Sequence, residues 1–174
     1  ALSPLTVQAR EELAKLHAGA EGSRALWEKF VAASRKNLDA LYERLGVRFG
    51  QVIGESFYHS QLDFLVQELL RLGIAQHSQG AVVCPGTDPE EPPLIIRKAD
   101  GAYLYGTTDL AAAALRAGWW RAARAIYVVG APQALHLRQV FGVAAKMGCS
   151  ACKFEHAAFG SMLRRNPQGR WVPF

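Results

Sequence analysis

Three cysteines in 174 residues, Cys84, Cys149 and Cys152, are too few and too odd in number for a framework of paired disulfides, which disfavours a small secreted scaffold. No apolar run approaches the roughly 18–20 residues that cross a bilayer, and residues 1–10 lack the basic-then-apolar order of a secretory leader. A soluble, cytoplasmic chain with no membrane partner is the expectation. Repeats and low-complexity tracts are absent, and 50% hydrophobic against 20% charged residues excludes a disordered chain or a coiled coil. Acidic residues are the minority charge: 15 Asp+Glu face 20 Lys+Arg, and the net +5 favours an anionic partner without choosing between nucleotide and nucleic acid. No phosphate loop with its lysine is present, and no Gly-x-Gly-x-x-Gly follows a strand candidate, which disfavours a nucleotide-binding oxidoreductase. An initiator methionine is missing as well: the chain starts at Ala1, so a processed or excised piece is expected.

What is present reads as α first and α/β afterwards. Leu13, Leu16, Leu26, Trp27, Phe30, Val31, Leu38, Leu41, Tyr42 and Leu45 recur at helical spacing and predict two helices over 5–45, broken at Gly19 and Gly22. Val47 to Phe49 is a short strand candidate, and a third helix runs from Glu55 to Leu72, stopped by Gly73. Ala81–Cys84 and Leu94–Arg97 are β-prone runs around a proline-rich loop, a hairpin or meander. Asp100-Gly101 supplies a tight turn into a strand at Tyr103–Tyr105, and Thr107 or Thr108 caps a following helix. Ala125–Gly130 is almost wholly apolar, as a strand buried on both faces should be; a helix over 132–147 and a last strand over 153–159 follow. Such alternation is that of an open parallel sheet, which binds ligands at the carboxyl ends of its strands. Two segments occupy that position, Tyr105–Asp109 and Gly130–His136.

Each segment supports two readings. Tyr105, Thr107, Thr108 and Asp109 offer a carboxylate beside a phenol, a sensible receptor for a guanidinium or ammonium; alternatively they are a helix cap with a dipole-favoured aspartate. At Gly130 a ligand can approach the backbone, and Gln133 and His136, three apart, share a helix face; they can hold an amino acid, ribose or phosphate, or simply face solvent. Cys149, Cys152 and His156 are three zinc-type donors with Cys84 the remaining thiol for a fourth, but structural thiols beside a strand are the preferred reading, and no metal site is assigned. Arg116, Arg121, Arg124, Arg164 and Arg165, with Trp119 and Trp120 between, could touch RNA or form a solvated basic face.

Taken in order, the segments resemble a class I aminoacyl-tRNA synthetase, specifically arginyl-tRNA synthetase. The resemblance lies in Leu41-Tyr-Glu-Arg-Leu-Gly-Val47, Gly54-Glu-Ser-Phe-Tyr58, Ser78-Gln-Gly-Ala81, Ile95-Ile-Arg-Lys-Ala-Asp-Gly101, Tyr103-Leu-Tyr-Gly-Thr-Thr-Asp-Leu-Ala111, Ile126-Tyr-Val-Val-Gly130, Gln133-Ala-Leu-His136 and His156-Ala-Ala-Phe-Gly160. These extend from about residue 24 to the end of the chain, each weak alone and specific together.

That resemblance implies arginine binding by Tyr105, Asp109 and Gln133, with the Asp109 carboxylate on the guanidinium. It implies ATP neighbours at Gly130, His136, Phe159, Gly160 and Met162. In such a family arginine and ATP form arginyl adenylate, the arginyl group passes to tRNA(Arg), and activation itself requires tRNA; ATP, with magnesium, is a substrate and no tightly bound cofactor is implied. The implied fold is the second half of a Rossmann-like nucleotide-binding domain over 46–174, with a small β-hairpin insertion and a helical connective segment over 1–45. The family's His-x-Gly-His signature is not found in these residues, and Gly169-Arg-Trp-Val-Pro-Phe174 ends where its Lys-Met-Ser-Lys-Ser-type loop would start. No residue is therefore assigned to catalysis. The expectation is a piece of a synthetase that is inactive alone and partnered by the rest of the synthetase chain, the alternative being a non-catalytic paralogue that binds an amino acid, tRNA or a protein.

Overall fold

The computed structural model describes residues 3–17, 19–86, 88 and 90–173; Ala1 and Phe174, at the two ends of the sequence, lie outside them. The chain divides into two compact units, Ala1–Val52 and Ile53–Phe174.

The first unit is a helical pair, α1 (Pro4–His17) and α2 (Glu21–Arg44). Gly19, at φ 80°, turns the chain between them, whereas Gly22 lies inside the first turn of α2 and does not break it as expected. The end of α2 is a Schellman motif: Gly46 at φ 67° lets its N–H reach the Glu43 carbonyl at 3.1 Å and the Val47 N–H reach the Tyr42 carbonyl at 2.9 Å. This closure leaves Val47–Phe49 without a ladder partner, so the expected strand does not form; the Phe49 ring instead packs edge-on against Tyr42 at 4.7 Å. No residue of α2 is buried.

The second unit holds the core. A tight turn of helix over Glu55–Gln61 leads into α3 (Leu62–Arg71), which buries Leu62, Val66 and Leu69 at spacings of four and three, one face of a helix. Strands β1 (Gln76–Ser78), β2 (Ala81–Cys84) and β3 (Leu94–Arg97) form an antiparallel sheet in that order. Polar β1 carries no apolar run and was invisible to the pattern; Gln79 and Gly80, both at positive φ, make the two-residue turn that pairs it. After β3 the Asp100-Gly101 turn forms as expected, with Gly101 at φ 86° and the Asp100 carboxylate accepting from the Ala102 N–H at 3.0 Å. Only an isolated bridge joins Arg97 and Tyr103, because the chain enters α4 (Tyr105–Ala114) at once, where a strand through Tyr105 was expected.

No side chain caps α4. Thr107 lies in its first turn, fully buried, and its hydroxyl donates to the Ile96 carbonyl of β3, which corrects the capping expectation for this residue. A widened turn over Leu115–Trp119 ends the helix before β4 (Arg124–Gly130), a short 3₁₀ turn over Ala131–Gln133, α5 (Ala134–Lys146) and β5 (Lys153–Phe159). Strands β4 and β5 are parallel and in register from Arg124↔Lys153 to Gly130↔Phe159, a βαβ unit. A final hairpin, β6 (Leu163–Arg165) and β7 (Trp171–Pro173), has no precedent in the sequence reading.

Val66, Leu69, Val82, Cys84, Leu94, Ile96, Leu110, Val140 and Val143 form one cluster, so the core sits among α3, the antiparallel sheet, α4 and α5. The parallel pair joins it through one face only: Tyr127 of β4 and Phe154 of β5 pack on Phe141 of α5 at 5.0 and 5.5 Å. On the opposite face Ile126 is 52% and Val128 70% exposed, which corrects the expectation of a strand buried on both sides. The apolar run is there; the second cover is not among the described residues. The architecture is α/β.

Candidate functional site

Tyr105 and Asp109 sit one helical turn apart on α4 and therefore share a face. Across from them, in the first turns of α5, His136 places Nε2 2.7 Å from Asp109 Oδ2, and its ring centroid lies 4.5 Å from that of Tyr105 with the planes at 55°. The three side chains form one group with a graded exposure: the imidazole is 10% exposed, the carboxylate 34%, and Tyr105 as a residue 59%. Buried at the back and open at the front, such a group presents an acceptor and an aromatic face to a cation.

Gly106, between Tyr105 and Asp109 on α4, faces Leu94 of β3 closely. A Cβ there would stand 3.0 Å from a Leu94 methyl and 3.6 Å from His136 Cε1, tighter than ordinary contact on the first count. A side chain at this position would need the Leu94 methyl to shift by a few tenths of an ångström.

A second group gathers at the carboxyl ends of β4 and β5. Gly130 and Phe159 are ladder partners, and a Cβ on Gly130 would lie 4.0 Å from the Phe159 ring, which is itself 55% exposed. Gly160 follows with open space where a Cβ would be, and Met162 is 77% exposed. Gln133 is exposed at the residue preceding α5. Gln133, Gly160 and Met162 stand near the same strand ends in the chain, but among the described residues no hydrogen bond or ring contact ties them to either group. The imidazole of His156, whose strand runs beside β4, is directed at the Val129 carbonyl, with Nε2 2.9 Å away.

One feature of this region escaped the sequence reading. Tyr127, in the middle of β4, accepts from Arg116 Nη1 through its hydroxyl at 2.7 Å, with the guanidinium carbon 4.9 Å from its ring centre. Burial raises the Tyr127 phenol above its ordinary pKa and the nearby charge of Asp109 adds to this, while Arg116 opposes it. A lone tyrosine within an apolar strand was the available signal. Arg116 is in consequence committed to a half-buried contact, and Arg124 is committed to Glu155, so neither belongs to a free basic face.

Among the described residues no three His, Cys, Asp or Glu gather as metal ligands. Cys84 is in the core, where burial pushes its thiol up to about 11, and burial raises the Cys149 thiol too. Among the same residues no helix is long and apolar enough to cross a membrane.

Residues 4–170 match the family model described as tRNA synthetases class I (R), catalytic domain. An arginine–tRNA ligase of Rhodopirellula baltica is 37% identical over 168 residues, covering 97% of this chain and 25% of the relative. One from Clostridium botulinum is 42% identical over 165 residues, covering 93% of this chain and 29% of the relative. Among solved structures, the arginyl-tRNA synthetase of Plasmodium falciparum superposes with a TM-score of 0.82 at 26% identity, over 90% of this chain and 28% of that one. A putative arginyl-tRNA synthetase from Campylobacter jejuni, at TM-score 0.61 and 17% identity, shares the fold. The chain thus spans between a quarter and a third of the length of the curated relatives it matches.

Proposed function

The chain belongs to the class I tRNA synthetase (R) catalytic domains, and from that premise we propose that it supplies the arginine and nucleotide floor of an arginine–tRNA ligase. In this reading a carboxylate oxygen of arginine attacks the α-phosphate of ATP and pyrophosphate leaves. A hydroxyl at the end of tRNA(Arg) then attacks the arginyl carbonyl and AMP departs. ATP enters as its magnesium complex, as substrate.

Asp109 receives the guanidinium by charge-assisted hydrogen bonds, Tyr105 lays its ring against the cation, and Gln133 completes the arginine side. ATP lies along Gly130, where no side chain blocks the backbone, and against Phe159, Gly160 and Met162, with the aromatic ring offering a face to adenine. Residues 46–174 are the C-terminal half of a Rossmann-like domain with β1–β3 as its inserted hairpin layer, and 1–45 the connective helical segment. The chain works in the cytoplasm with the rest of the synthetase. The 174 residues contain no His-x-Gly-His signature. Stabilisation of charge at the pentavalent phosphate falls to groups outside them, so the piece alone is inactive.

The observation that supports this best is the pairing of the half-buried Asp109 acceptor with the exposed Tyr105 ring beside α5, the helix that follows the carboxyl end of β4, where sheets of this type bind ligands. Arginine-dependent ATP–pyrophosphate exchange, with and without tRNA, tests it. In a synthetase carrying these residues, Asp109→Ala raises the arginine KM at least tenfold; an unchanged KM overturns the assignment. The 174 residues by themselves give no exchange, and robust turnover by them refutes their dependence on other groups.

A further inference from the structure

His136, which the family pattern grouped with ATP, touches neither Gly130 nor Phe159 among the described contacts; its ring is spent on the two residues assigned to arginine. We infer that His136 is a positioning residue of the arginine pocket: its Nε2–H fixes the Asp109 carboxylate and its ring backs the Tyr105 phenol, setting the geometry in which a guanidinium is received. The inference rests on the arginine reading above and deepens it.

Two observations carry it, the hydrogen bond and the gradient of exposure. The hydrogen bond is short and well formed at 2.7 Å, and it crosses 27 residues of sequence, so it is made by the packing of α4 on α5. Exposure falls from ligand side to helper: Tyr105 at 59%, the Asp109 carboxylate at 34%, the His136 imidazole at 10%, so the imidazole stands behind the carboxylate and leaves the opening to it. An ionised carboxylate only accepts, so the inferred arrangement requires the tautomer with its proton on Nε2, the imidazole donating. One Asp109 oxygen, Oδ2, is thereby tied down, and Oδ1 is left for the ligand. An aspartate side chain has two free torsions; a second bond behind it removes that freedom before substrate arrives, as buried partners of ligand-binding groups do elsewhere.

Two substitutions separate the bond from the bulk. His136→Gln keeps an N–H donor near the position of Nε2, and His136→Phe keeps the ring against Tyr105 without the donor. In a synthetase carrying these residues, His136→Phe raises the arginine KM tenfold or more while the ATP KM stays within twofold, and His136→Gln holds the arginine KM within about threefold of wild type. An arginine KM unmoved by His136→Phe, or a rise in the ATP KM in its place, overturns the inference and returns His136 to the nucleotide. If Asp109→Asn itself leaves the arginine KM unchanged, the arginine reading fails first, and the two failures are told apart by that control. A measurement without substrate keeps the inference exposed even if a variant fails to fold: ¹⁵N spectra of the histidines in the 174-residue chain show His136 protonated at Nε2. A ring carrying its neutral-form proton on Nδ1 alone refutes it.

Discussion

A hydroxyl with no access to water has to find an acceptor inside the fold, and Thr107 finds the Ile96 carbonyl across from α4. Thr107→Val keeps the volume and deprives the buried Ile96 carbonyl of its hydroxyl donor, and an expected loss of about 1–3 kcal/mol in denaturant unfolding follows. Thr107→Ser, which retains the hydroxyl, loses less; equal losses would mean the methyl and not the bond matters. At this scale the sequence was informative where the chemistry is local. Tyr105 and Asp109 stand together in the sequence as a phenol and a carboxylate at a strand-to-helix junction; that both lie on α4, one turn apart and on one face, is set by where the helix starts. The partner of each was hidden: Thr107 could be read as a cap, and His136 as a nucleotide neighbour, because their contacts cross 11 and 27 residues and depend on which elements pack together.

The parallel pair β4–β5 behaves as an element with one finished and one unfinished face. On the finished face Phe141 stacks on Phe154 and Tyr127 meets Phe141 edge-on. On the other, Glu155 is gripped by Arg124 and by Lys153, whose Nζ lies 2.7 Å from Oε1, and these hydrogen bonds hold its carboxyl down at about 2 from the usual 4.5. Because the folded value is depressed, whatever stability the grip contributes is present above pH 4.5 and is lost as the pH falls toward 2. Thermal melts from pH 6 down to 2 should therefore show a steeper decline in the wild type than in Glu155→Gln, the two curves converging at the acid end; parallel curves would refute the assignment. The apolar run of β4 announced a strand correctly. It could not announce how many faces are covered, since hydrophobicity states what a strand tolerates and only neighbouring elements state what it receives.

Across the whole molecule, burial is uneven. Every buried apolar residue among those described lies at Tyr58 or beyond, and α2 has none. Native-state hydrogen exchange is expected to find the slowest amides at Val66, Leu69, Leu110 and Val140, with those of α1 and α2 exchanging far faster; comparable protection in α2 would contradict this. The sequence by itself determined the helices of α1 to α5, the two longer strands of the antiparallel sheet, both strands of the βαβ unit and, through ordered segments, the family. These are consequences of period, turn chemistry and residue type, which act over a few residues. It missed β1 and the β6–β7 hairpin, strands of three residues that are too short to show an alternating pattern and exist because a partner pairs them. Only the tertiary structure decided that His136 stands behind Asp109, that Arg116 belongs to Tyr127 and that one face of β4 is open. Those facts are set by packing between elements far apart in the chain, and no local pattern encodes which distant side chain will fill the space beside a given one.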